Sequence, residues 1–185
     1  LPVDQDADPA ALAALDAFVG HYSDNTQVTL GAAFDGYPDW QRDLQFAGVA
    51  ANFAPIFAAS DAEPSAKLAE VMAAGAQVSA VDYVRAQAMQ QQVSDHLEEL
   101  LGFADVFATL AAPSSAPQDI TTTGLPFMNT LATFAGMPAI SLPLLEVHGM
   151  PLGLQLIAPR GNDDALLAAA AWFMEDCPAV TTKSG

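Results

Sequence analysis

The short apolar run at residues 152–158, LGLQLIA, leads through Asn162-Asp163-Asp164 into an alanine-rich stretch, and this limits the fold more than any other feature. Gly149 and Pro151 favour a turn before the run, which is short and apolar enough to be a buried strand. Asn162, Asp163 and Asp164 can accept hydrogen bonds from the unpaired amides of a first helical turn, and their charge suits the positive end of the helix dipole. Asp163 or Asp164 is therefore expected to cap a helix over residues 165–175, with Leu166, Leu167, Ala170 and Phe173 on its apolar face and Pro178 stopping it. A strand feeding a helix needs a second layer on which each can bury its apolar side.

Similar signals recur along the chain. Asp8-Pro9 followed by AALAALDAFVG predicts a capped helix that closes near Gly20. A second helix is expected to begin near Asp39 and to break before Pro55. Glu63-Pro64-Ser65 opens a third, ended by Gly75, and Ser79 opens the longest pattern, with Tyr83, Ala86, Met89, Val93, Leu97 and Leu100 or Leu101 on its buried face. Residues 105–110 and 139–143 read as two more strands, with the loop AAPSSAPQ after the first. Three short strands among helices predict an α/β fold whose strands are buried on both faces.

A chain of 185 residues, 52% hydrophobic, is long enough for one sizeable core. Its formal charge of -17 would repel phosphate backbones and anionic membrane surfaces at long range, so nucleic acid and membrane are not expected as partners. Cys177 is the only cysteine, which excludes an intrachain disulfide and a thiolate metal cluster and leaves it read as a small residue at a helix end. There is no apolar span of membrane length. The acidic start LPVDQDADPA, with no methionine and no basic residue before an apolar core, is expected of an interior piece or a processed chain.

Four pieces, in order, carry a family resemblance: AGAQVSAVDYVRAQ, ADVFATLAAPSSAP, NTLATFAGMPAISLP and GMPLGLQLIAPRGNDDALLAAAAWF. Together they resemble the carboxy-terminal half of the amidase signature family over residues 64–176, while residues 1–63 carry no motif. Leu110 stands where the family usually has proline, and Leu131-Ala132 replaces a proline-aromatic pair. The resemblance implies an amidase-type mixed β-sheet with helices on both faces, of which residues 1–185 are the carboxy-terminal portion. It further implies hydrolysis of an amide carbon-nitrogen bond by a Ser-Ser-Lys set in a cytoplasmic enzyme without cofactor or metal. The expected partners are a small-molecule amide and the amino-terminal amidase segment or chain, with a homo-oligomer as a further expectation.

A serine nucleophile needs a base and glycine-dense amides to hold the oxyanion, and this chain has no such segment. Ser114-Ser115 lies in a proline loop without glycines. Lys67 and Lys183 read as solvated charges in a first helical turn and a tail, and Asp95, Glu98 and Glu99 as a charged helix face. His21, His96 and His148 are too scattered to define a triad or a metal site. No catalytic residue is thus expected within the chain. The resemblance places Asn129 and Thr133 in a strand-end loop beside the pocket for the acyl part of the substrate, whereas on their own they would read as a helix cap and a packed helical residue. A catalytically silent amidase-like structural or interaction protein is the alternative.

Overall fold

The computed structural model describes residues 7–102 and 104–176. The readings for Cys177, Pro178, Lys183 and the first six residues lie outside the described residues. In chain order the elements are α1 (Pro9–Val19), α2 (Tyr37–Ala58), α3 (Ala66–Gly75), α4 (Ala80–Leu101), β1 (Phe107–Leu110), α5 (Phe127–Ala135), β2 (Ala139–Val147), β3 (Met150–Ile157) and α6 (Asp163–Asp176). They fall into two compact units, one of Leu1–Ala32 with Ser94–Gly185 and one of Ala33–Val93.

The first unit is built on a three-stranded antiparallel sheet in the order β1-β3-β2. His148 and Gly149, with φ of 55° and 73°, form the two-residue turn between β2 and β3. Positive φ at both positions matches the twist of a tight hairpin. The turn is thus one position earlier than Gly149 and Pro151 suggest, and both strands are longer than the apolar runs. Pro151 lies inside β3 opposite Glu146, next to the turn-closing pair Val147–Met150. In a two-residue hairpin that neighbouring pair is not hydrogen bonded, so the amide that proline lacks is not needed by the ladder. Pro143 is tolerated for a related reason. Leu142 pairs with Leu154 and Leu145 with Leu152, so Pro143 and Leu144 together oppose Gly153 in a β-bulge.

Register decides what each sheet face carries, because successive side chains alternate. Leu110, Leu154 and Leu142 stand opposite one another on one face and join Leu152, Leu156, Ala11 of α1, and Leu166 and Ala170 of α6 in a single core. The Asp8 side chain accepts from the Ala10 amide at 2.9 Å and Pro9 occupies the first helical position, so α1 starts where the sequence places it. Helix α6 buries Leu166 and Ala170 and half-buries Phe173, but Leu167 is exposed. Four apolar residues around a helix span more than one face, and the sheet takes the side centred on Leu166 and Ala170. On the opposite sheet face the row is polar: Thr109, Gln155 and Ser141 lie side by side across the three strands.

The second unit pairs α2 with α3. The Ser65 hydroxyl caps α3 by accepting from the Leu68 amide at 3.3 Å. At its other end Gly75 lets the helices touch, since a Cβ there would run into the Phe46 carbonyl. Helix α2 does not break before Pro55 but continues to Ala58. Proline leaves only the Ala51 carbonyl without its intrahelical donor, and residues 51–56 are exposed, so water can serve it. On α4, Ala86, Val93, Leu97 and Leu101 are buried, whereas Tyr83, Met89 and Leu100 are half-buried.

Candidate functional site

Helix α5 lies over the polar row. Its nine residues bury Met128, Leu131, Ala132, Phe134 and Ala135 and leave Asn129 and Thr133 exposed. Residues four apart share a helix face, so Asn129 and Thr133 look the same way. The segment is therefore a helix and not the strand-end loop that the resemblance implies. Gly136 closes it with φ of 66°, a left-handed conformation suited to glycine, and its amide donates to Thr133 O at 3.2 Å. Asn129 is not a cap and Thr133 is not packed inside. The Asn129 side-chain amide instead donates to Ala111 O at 3.3 Å, just beyond β1.

Between α5 and the strands is a pocket of about 280 Å³ lined by Asn129, Ala132, Thr133, Met137, Ala139, Ile140, Ser141 and Gln155. No lining side chain is charged, although the chain carries a net charge of -17. What the pocket offers is carboxamides, hydroxyls and apolar carbon, a set that suits a neutral polar group and gives an ion no counter-charge. Ser141 and Gln155 are not visible as site residues in the sequence. Their signal is a matter of register, and pairing across strands cannot be read from a single run of residues.

A second constellation unites residues that the sequence scatters. Ser114 Oγ donates to Asp8 Oδ2 at 2.8 Å, and His148 Nε2 lies 2.7 Å from the same oxygen. Serine, aspartate and histidine therefore meet, but the order is wrong for nucleophilic catalysis, which needs the imidazole next to the hydroxyl. Here the carboxylate occupies the centre. The Ala10 amide above all, then His148 and Ser114, hold its pKa below the ordinary carboxylate value, which makes it a poor base for a serine proton.

The other candidates stay apart. Lys67 pairs with Glu70 at 3.0 Å on exposed α3, His96 Nδ1 lies 3.9 Å from Glu99, and His21 packs its ring edge-on to Tyr22. Arg160 reaches Glu98 at 3.0 Å and Asp95 at 3.4 Å, so this charged helix face serves as an anchor for the end of β3. Among the described residues no cluster of three or more His, Cys, Asp or Glu is placed to hold a metal ion. No helix among them is long and apolar enough to cross a membrane.

The amidase family model matches residues 12–167, a span that contains the whole pocket. The chain belongs to the amidase family. The match begins well before residue 64, so most of α1 and all of α2 are part of the family's pattern although residues 1–63 carry no motif legible alone. Curated relatives include a glutamyl-tRNA(Gln) amidotransferase subunit of Gluconobacter oxydans, 36% identical over 95 residues, which are 47% of this chain and 19% of that protein. Another is fatty acid amide hydrolase of Medicago truncatula, 30% identical over 112 residues, 54% of this chain and 18% of the relative. The matched part thus spans about a fifth of the length of these relatives. Among solved structures a crystal structure of an amidase superimposes with a TM-score of 0.77 at 22% identity, covering 91% of this chain and 41% of that one. The α/β amidase fold, with its helices against a sheet, is thereby shown for this chain as well.

Proposed function

We propose that this chain is the carboxy-terminal portion of an amidase that cleaves an amide carbon-nitrogen bond, and that Asn129 and Thr133 line the part of its pocket that receives the acyl group. The nucleophilic serine, its bridging serine and the lysine lie on residues outside the chain. Those residues belong to an amino-terminal amidase segment or chain, the partner with which the site is completed.

The observation that carries this reading is the uncharged pocket between α5 and the sheet, within the residues that match the family. An amide is neutral before attack, so a site that holds its acyl part gains from neutral hydrogen-bonding groups beside apolar carbon, and gains nothing from an ion. The nucleophile and the oxyanion-stabilising amides are then supplied from elsewhere: Ser114 faces a carboxylate that is a weak base, and Ser79, which donates to Asp82 at 2.6 Å, also accepts from the Asp82 amide at the start of its helix. The division of labour is then physical: one segment supplies the chemistry, and this one positions what is cleaved.

The test is Asn129→Ala and Thr133→Ala in the full-length protein, assayed on aliphatic and aryl amides. Each change is expected to lower kcat/KM at least about tenfold or to reorder the substrates, which corresponds to about 1.4 kcal/mol of lost transition-state stabilisation. Unchanged kinetics for both variants would remove the residues from the pocket's function.

A further inference from the structure

We infer that Gln155 is a positioning residue: its side-chain amide fixes where the first turn of α5 sits above the sheet, and thereby the width of the pocket that Asn129 and Thr133 line. The inference rests on the reading of that pocket as an acyl site.

Gln155 lies on the central strand between Leu154 and Leu156, both fully buried, and is itself 3% exposed. An amide in such a place is costly unless it is bonded, and an apolar residue would fill the layer without that demand. Its Nε2 donates to Met128 O at 3.1 Å. Met128 is the second residue of α5, and a carbonyl in the first helical turn already has an intrahelical partner; it is the amides there that lack one. The bond therefore does nothing the helix needs. What it does is set a distance between helix and strand.

Two further ties hold the same helix. Asn129 donates to Ala111 O, and the Ala111 amide in turn donates to Gly153 O at 2.9 Å, extending the β1–β3 ladder. Ser94, fully buried, donates to Ala135 O at 2.9 Å at the opposite end. Space beneath the first turn is tight as well. A Cβ at Gly153 would lie 2.8 Å from the Ala111 Cβ and run into the Ser141 hydroxyl. Ser141 and Gln155 are neighbours in the polar row and both line the pocket. The helix is thus seated by side chains reaching from both sides of the gap, and Gln155 is the one that reaches from the centre of the sheet.

The experiment uses Gln155→Met, which keeps length and apolar stem but removes the donor, and Gln155→Glu, which keeps shape and replaces the donor by an acceptor facing Met128 O. Both are made in the full-length protein and followed by hydrogen exchange and by kinetics. The expected result is exchange at least tenfold faster at residues 129–135, with Leu154 and Leu156 still protected. On amides graded by acyl length, KM is expected to change at least fivefold and to reorder, while kcat stays within threefold. Exchange in α5 equal to wild type, or protection lost equally from α1, β3 and α5, would overturn the inference, the latter as plain destabilisation. If the full-length protein cleaves no amide, the acyl-site reading fails and the exchange result alone decides whether Gln155 seats α5. If amides are cleaved and both variants match wild type in KM, the inference fails while that reading stands.

Discussion

The Asp8 carboxylate and the His148 imidazole, 140 residues apart in the chain, meet at 2.7 Å, and Ser114 adds its hydroxyl to the same oxygen. The contact ties the start of α1 to the β2–β3 turn, where His148 is the only non-glycine with positive φ among the described residues. Such a conformation is uncommon for a side-chain-bearing residue, and the bond to Asp8 gives histidine a reason to be there.

The stability that this contact contributes should depend on acid in a defined direction. Asp8 has a folded-state pKa lowered from the ordinary 3.8, so its contribution is present above that value and lost as the pH falls through the lower folded one. Thermal melts of wild type and Asp8→Asn between pH 7 and pH 3 are expected to differ most at the upper end and to converge toward the lower. A constant difference across that range would mean the charge is not involved.

Asn129 and Thr133 share a face but should differ in what they do for stability. Asn129→Ala loses the bond to Ala111 O and is expected to cost about 1 kcal/mol. Thr133 is exposed, so Thr133→Ala should stay within about 0.5 kcal/mol of wild type. Urea unfolding measures both. A larger loss for Thr133→Ala would make it a packing residue.

Much of the fold is legible where independent signals agree. Asp8, Pro9 and Gly20 bracket α1 with a cap, a pre-set φ and a stop, and Ser65 and Gly75 bracket α3 with a cap and a stop. Proline misleads where its missing amide faces away from the ladder, as at Pro151, or where the carbonyl it leaves without a donor is open to water, as at Pro55. Helix α5 is hidden because nine residues are a short pattern, although Pro126 before it and Gly136 after it are the punctuation a helix needs. The Asp8–Ser114–His148 contact and the Thr109–Gln155–Ser141 row are not readable at all. Each depends on strand register and chain return, which no local pattern encodes.

Gly75 tests the packing of the second unit. Its missing Cβ would meet a backbone carbonyl, which cannot swing aside as a side chain can. Gly75→Ala is expected to cost about 2–3 kcal/mol in denaturant unfolding, at the upper part of the range for overpacking. A neutral or stabilising result would mean that α2 and α3 move apart at little cost.

The strand order leaves β2, nine residues long, on the outside of the sheet. An open edge of that length invites pairing, and in the proposed enzyme it is a natural place for strands of the amino-terminal segment. The 185-residue chain alone is therefore expected to associate despite its charge, as read by size-exclusion chromatography with light scattering. A cooperatively unfolding monomer that binds no apolar dye would favour a self-sufficient, catalytically silent protein.

Whether the chemistry lies outside this chain is decided by assaying the full-length protein and the 185-residue chain on the same panel of aliphatic and aryl amides. Hydrolysis of at least one amide by the full-length protein and of none by the chain alone is expected, since Ser114 faces a weak carboxylate base. Hydrolysis by the chain alone, abolished by Ser114→Ala, Ser115→Ala or another single change within it, would contradict the placement of the nucleophile elsewhere.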